Sequence, residues 1–140
     1  MPGNKMIKRF LFLLVFFLLS IASFSQREKM MKAPDGSMQL MKKYFFCTLS
    51  RSASYHVTDT ALSNKILNGH RNLMAQYHTD GTIFLSGPVE DGGDILGAYL
   101  YNVDSLEKAE EMINADPAVE NGRFTYRLIA WWVKKGTILK

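Results

Sequence analysis

The alternation of apolar and polar positions divides the chain after residue 41 into six elements. Between Thr60 and Gly81, TALSNKILNGHRNLMAQYHTDG, the apolar residues Leu62, Ile66, Leu73 and Tyr77 recur at helical spacings. They form one stripe of an amphipathic helix that must lie against a core. His70 falls inside that stripe, four residues after Ile66 and three before Leu73. Its imidazole therefore points toward the packed layer or a cleft in it, while Arg71 and Asn72 point away. Thr58 or Asp59 is placed to cap the start, and Gly81 supplies the left-handed residue that ends many helices. A second helix opens at Asp104, which with Glu107 three residues later has the form of a capping box. Its stripe is Leu106, Ala109, Met112 and Ile113, and Pro117 stops it.

Four segments read as strands. Lys42–Ser50, KKYFFCTLS, is aromatic and apolar on both alternate faces. Thr82–Ser86 and Ile95–Val103 flank GPVEDGGD, a segment dense in turn residues, and so form a hairpin. In Arg123–Val133, Phe124, Tyr126, Leu128, Ala130 and Trp132 alternate along one face. The pairs Lys42–Lys43 and Lys134–Lys135 look like solvated strand ends. The order strand, helix, strand, strand, helix, strand predicts an α+β fold, the ferredoxin-like βαββαβ sandwich, with a four-stranded antiparallel sheet and two helices on one face. Two helices cover only one side of such a sheet, yet Phe45, Cys47 and Leu49 stand against Tyr44 and Phe46, and Ile129, Trp131 and Val133 occupy the second side of the last strand. The apolar open face predicts a homodimer, sheet against sheet with two-fold symmetry.

The amino terminus is different in kind. Lys5, Lys8 and Arg9 precede the apolar run Phe10–Leu19, followed by Ser20, Ile21, Ala22, Ser23, Phe24 and Ser25. A basic start, a short apolar stretch and small residues make a secretory signal peptide, cleaved after Ser25 or Ala22, and the run is too short to span a bilayer comfortably. The expected organisation is a signal over residues 1–25, a flexible leader over 26–41 with a Pro34-Asp35-Gly36 turn, one domain over 42–133 and a tail over 134–140. The mature protein is expected to be exported, periplasmic or secreted, and free of the membrane. Removing the signal takes three basic residues from 17 basic and 13 acidic, leaving 14 against 13. A nearly neutral domain has no electrostatic footprint for nucleic acid. Cys47 is the single cysteine, so an intrachain disulfide is excluded, and its place between Phe45 and Leu49 reads as burial.

Few residues can carry chemistry. His70, toward the end of the first helix, and Asp116, just past the second, can approach each other at the edge of the helical layer. A carboxylate beside an imidazole fixes its tautomer and supports its cation, which suits general acid or base work. Asp116 also reads as the turn residue before Pro117. Asp91 and Asp94, in the glycine-rich hairpin loop, are further candidates for which turn roles suffice, and Ser86 and Gly87, just before Pro88, can offer a hydroxyl or backbone amide to a bound anion. His78, in the last turn of its helix, reads as a cation favoured by the helix dipole. The histidines at 56, 70 and 78 lack ligand spacing, and the glycines do not follow a strand and open a helix, so neither a metal nor a cofactor is expected.

The succession His70, Asp80-Gly81, Ser86-Gly87-Pro88, Ser105-Leu106-Glu107-Lys108-Ala109, Ala115-Asp116-Pro117 and Asn121-Gly122 resembles the YCII-related (YciI-like) family over roughly Lys42–Val133. The resemblance implies a dimeric α+β barrel and a histidine–aspartate pair as active site, falling here on His70 and Asp116. It also implies lyase or isomerase chemistry, since some relatives are dehydrochlorinases of aromatic degradation and the fold is shared with muconolactone isomerase-like enzymes. Two features depart from the family pattern: Ala118 stands where a bulky aromatic usually follows Asp-Pro, and relatives are mostly cytoplasmic, without an export signal.

Two readings of function follow. In the first, His70 moves a proton on a small organic substrate and Asp116 orients it, without a cofactor. In the second, the same fold is a non-catalytic ligand-binding or dimeric interaction module in which His70 is structural. An imidazole bonded to Asp116 and open to a concave pocket supports the first; a sealed one supports the second.

Overall fold

The computed structural model describes residues 27–138. The candidate export signal over residues 1–25 lies outside the described residues. Strand β1 (Glu28–Lys32) turns back into the long β2 (Met38–Arg51), which leads to helix α1 (Thr60–Thr79). Strands β3 (Ile83–Pro88) and β4 (Ile95–Tyr101) form the hairpin, and helix α2 (Leu106–Asn114) and the one-turn helix α3 (Pro117–Glu120) precede β5 (Phe124–Lys134). The predicted βαββαβ order is present, with an extra strand and an extra helical turn.

The sheet is antiparallel throughout. β2 is its axis: Phe45–Ser50 pair with β4 on one edge while Met41–Arg51 pair with β5 on the other, and β3 adds outside β4. β1 pairs with Met38–Lys42 on the same edge of β2 as β4, in line with it. Pro88 sits on the edge strand β3, where its missing N–H interrupts no ladder.

The stretch expected as a flexible leader is therefore a hairpin. The Pro34-Asp35-Gly36 turn joins its two strands: Asp35 accepts from the Ser37 amide and hydroxyl, and Gly36 takes φ 86°. β1, with sequence EKMMK, has no apolar alternation of its own, and its partner is the exposed extension of β2. Lys42 and Lys43 consequently lie inside β2 rather than at its end. Lys42 stands 5.2 Å from the Tyr44 ring centroid and Lys43 5.5 Å from that of Trp132. At the other end of the hairpin Arg27 pairs with Asp104 at 2.9 Å and Lys135 with Glu28 at 2.8 Å.

Pairing parity sorts the side chains. Phe45, Cys47 and Leu49 of β2 face the helices together with Tyr99 and Tyr101 of β4 and Tyr126 and Leu128 of β5. Met74 and Tyr77 of α1 and Ala109, Met112 and Ile113 of α2 close over them. Each fully buried aliphatic side chain contributes about 1.5–3 kcal/mol. The opposite face carries Phe46, Ile129 and Trp131, the last two 45% and 48% exposed, with the Phe46 and Trp131 rings edge to face at 5.8 Å.

Two details of the helices differ from expectation. In α1 the stripe runs through Ile66, His70, Met74 and Tyr77, while Leu62 is exposed. The cap of α2 is Ser105, extended at φ −143° and ψ 164°, whose hydroxyl accepts from the Lys108 amide. Asp104 is left free to meet Arg27. Asp59 caps α1 through the amides of Ala61 and Leu62, and Gly81 follows it at φ 76°.

Candidate functional site

The site is assembled where α1 crosses the break between α2 and α3. α2 ends at Asn114 because Asp116 precedes a proline and is held extended, at φ −69° and ψ 121°. Asp116 then caps α3: its Oδ1 accepts from the Ala118 amide at 2.9 Å. Its other oxygen, Oδ2, lies 2.6 Å from His70 Nδ1. The sequence left open a choice between turn residue and imidazole partner, and one carboxylate performs both, one oxygen each. A carboxylate only accepts, so Nδ1 carries the proton in this bond and Nε2 faces the other way. Asp116 is fully buried and His70 only 8% exposed.

Two glycines make the approach possible. A Cβ on Gly69 would lie 3.1 Å from Pro117 Cγ, so the glycine beside His70 lets α1 sit close to the Asp116-Pro117 step. A Cβ on Gly97 would lie 3.3 Å from the Tyr99 ring and 3.4 Å from its hydroxyl. Gly97 thus leaves the room into which the Tyr99 phenol leans.

Nε2 faces that phenol, with Tyr99 Oη at 3.4 Å. The two rings meet edge to face at 6.3 Å, and Phe124 closes on the imidazole at 5.3 Å. A cavity of about 380 Å³ opens here, walled by Leu49, Met74, Leu96 and Phe124, with His70, Tyr99 and Ser86 among its polar residues and Arg71 beside them. Burial, and then the charge of Asp116, push the Tyr99 phenol up to about 12, so it remains a proton donor at neutral pH. The same two causes push the Cys47 thiol up to about 12, which makes it inert as a nucleophile.

Ser86, Gly87 and Pro88 line this cavity on the β3 side. The Ser86 hydroxyl is engaged by His78 Nε2 at 2.6 Å, so His78 is tied to the rim of the cavity as well as to its helix end. Asp91 is not brought to the cavity: it stands exposed in the β3–β4 turn at φ 57°. Asp94 serves the fold there, its carbonyl accepting from the Arg51 amide. Among the described residues no three His, Cys, Asp or Glu side chains converge as a metal site would require.

Sequence reasoning missed Tyr99, Phe124 and Met74 as site residues. A signal for Tyr99 was present, since it alternates with Gly97 and Tyr101 on the face that the helices cover. Nothing local marked Phe124, whose ring reaches His70 only through the β2–β5 pairing.

Uncharacterized protein YjpA of Bacillus subtilis (strain 168) is 33% identical over 67 residues, which are 48% of this chain and 76% of that protein. A solved structure, the 5-chloro-2-hydroxyhydroquinone dehydrochlorinase TftG from Burkholderia phenoliruptrix AC1100 in complex with 2,5-dihydroxybenzoquinone, is similar at 17% identity and a TM-score of 0.42, covering 66% of this chain and 95% of its own. Residues 44–133, which run from the middle of β2 nearly to the end of β5 and include both His70 and Asp116, match the YCII-related domain, and the chain belongs to that family.

Proposed function

We propose that the protein is a small exported acid–base enzyme, of lyase or isomerase type, acting on a small organic molecule held in the cavity below His70. The observation that carries this reading is the 2.6 Å bond from His70 Nδ1 to a fully buried carboxylate, with Nε2 turned toward the cavity. With Nδ1–H bound to Asp116, Nε2 holds the lone pair and takes a proton from substrate carbon or oxygen. Asp116 stabilises the imidazolium that forms, and the Tyr99 O–H is placed to donate to the charge that develops on the substrate. A merely structural histidine has no need to turn its second ring nitrogen toward a phenol in the wall of a cavity, which favours the enzyme over the non-catalytic module.

Such chemistry is read without knowing the natural substrate. The purified protein is incubated in D2O with a panel of cyclic ketones and enols, and exchange of their acidic C–H protons is followed by NMR. His70→Gln is expected to slow exchange by about a hundred- to ten-thousand-fold. Exchange that continues at the original rate in the variant would show that His70 is not the base. Export is tested by the mass of the protein recovered from cells, which loses residues 1–22 or 1–25 if the signal is cleaved.

The open sheet face belongs to the same proposal as the contact between two copies. Phe46, Ile129, Trp131 and the exposed Leu85 form an apolar patch on the face the helices do not cover. A stable pairing buries about 800 Å² on each partner. Light scattering at micromolar concentration is expected to give a dimer, and Trp131→Glu, which puts a charge in the middle of the patch, a monomer that remains folded. A monomer for the unaltered protein removes the pairing.

A further inference from the structure

The cavity below His70 has a neighbour. Leu96 and Phe124 also line a second hollow of about 270 Å³, on the side of Phe124 toward the β2–α1 connection. Its polar lining residues are Arg51, Arg123, Ser52, Tyr55 and Ser63. No carboxylate lines it.

Arg123 is fixed in place. Its Nη1 donates to Ser63 Oγ at 2.5 Å, and its guanidinium stacks 5.4 Å from the Tyr55 ring centroid and 5.9 Å from that of Phe124. Among the described residues neither Arg123 nor Arg51 has an ion-pair partner. The Tyr55 hydroxyl is buried and also lacks a hydrogen-bond partner. An arginine held by a hydroxyl and two aromatic rings, with donors to spare, a second arginine lining the same hollow and no acid to balance either, forms a receptor for a planar oxyanion, which a guanidinium fork binds with two parallel hydrogen bonds.

The Phe124 ring connects the two hollows. Its centroid lies 5.3 Å from that of the imidazole and 5.9 Å from the Arg123 guanidinium carbon, so His70 and Arg123 are no farther apart than those two lengths together, a span that one ring with a carboxylate can bridge. We infer that the substrate is a small monocyclic carboxylate: its carboxylate sits on Arg123 and Arg51, its ring lies over Leu96 and Phe124, and its reacting carbon comes to His70 Nε2. This assignment rests on the acid–base reading of His70, and it adds the substrate class and two binding residues. A carboxylate is favoured over a phosphate because the receptor offers one fixed, planar fork flanked by rings rather than a nest of backbone amides.

Calorimetric titration of the purified protein with benzoate, benzamide and inorganic phosphate tests it. Benzoate is expected to bind about tenfold or more tightly than its uncharged counterpart, since a hydrogen-bonded ion pair at a partly buried site is worth at least that factor. Arg123→Gln should abolish the preference. Arg51→Gln, an exposed substitution that leaves the fold intact, should reduce it about threefold. Equal binding of benzoate and benzamide, no binding of benzoate up to millimolar concentrations, a preference that survives both arginine substitutions, or phosphate displacing benzoate at equal concentration would each overturn the assignment. Its failure is separable from that of the catalytic reading. An arginine-dependent preference for benzoate without His70-dependent proton exchange removes the reaction and keeps the subsite, and the converse result removes the subsite and keeps the reaction.

Discussion

Asp116→Asn is expected to leave the fold nearly as stable as before and to reverse the imidazole of His70. The amide keeps one oxygen, which continues to accept from the Ala118 amide and so preserves the start of α3. Its NH2 then occupies the place of Oδ2, 2.6 Å from Nδ1. An amide nitrogen only donates, so Nδ1 must become the acceptor and the proton moves to Nε2. The nitrogen facing the cavity is then no longer a base. A carboxylate-to-amide change beside a general-base histidine lowers turnover by about ten-thousand-fold through this tautomer effect. Asp116→Ala acts differently, because it removes both acceptors. It leaves the buried Nδ1–H without a partner, at about 1–3 kcal/mol, and uncaps α3, at about 1 kcal/mol. That loss is a large part of the 5–15 kcal/mol that holds a domain of this size together. Nitrogen NMR of the imidazole and urea unfolding of both variants give the answer together. An Asn variant whose Nδ1 stays protonated, or one as unstable as the Ala variant, contradicts the division of labour between the two oxygens.

Stability is expected to fall steeply above pH 9. Burial pushes the Cys47 thiol up to about 12 and raises the Tyr101 phenol well beyond the ordinary tyrosine range, and both side chains are fully buried between sheet and helices. In the unfolded chain the same groups release their protons from about pH 9 and pH 10. Between there and pH 12 the unfolded state therefore binds fewer protons than the folded one, and stability decreases as pH rises. Below pH 9 the contribution is complete. Each group lowers stability by about 1.4 kcal/mol per pH unit once its unfolded form has ionised, so the two together reach several kcal/mol near pH 11. The Tyr99 phenol, raised to about 12 but open to the cavity, adds a smaller part in the same direction. Tyr101→Phe removes one proton release and also a buried hydroxyl that has no partner, so it should be no less stable than the parent at pH 7 and should flatten the alkaline slope. Urea midpoints between pH 7 and pH 11 decide the matter, and a constant midpoint across that range would mean these groups ionise as freely in the folded protein as in the unfolded one.

Much of the architecture was legible because periodicity reports burial directly. α1, α2 and the four long strands stand where helical spacing and alternation put them, and the two faces of β2 divide as the alternation of Phe45, Cys47 and Leu49 with Tyr44 and Phe46 requires. The hairpin arm was not legible. The residues of β1 carry no pattern, and their strand conformation comes from a ladder to β2 that only the folded chain supplies. The capping of α2 shows the limit of short motifs: Asp104 and Ser105 are both competent caps, and the ion pair with Arg27, 77 residues away, goes with Ser105 taking the role.

The sequence by itself determined that an imidazole at position 70 faces the core layer and that a carboxylate at 116 ends the second helix, because helical phase and the Asp-Pro step are local properties. Only the tertiary structure decided that they meet, at 2.6 Å, since that depends on how closely α1 packs on the Asp116-Pro117 step and on the absence of a side chain at Gly69. It alone also brought Tyr99 and Phe124 to the cavity at His70 and put Arg123 in the hollow on the other side of Phe124, because cross-strand register places residues far apart in sequence side by side and leaves no trace of the meeting in any one segment.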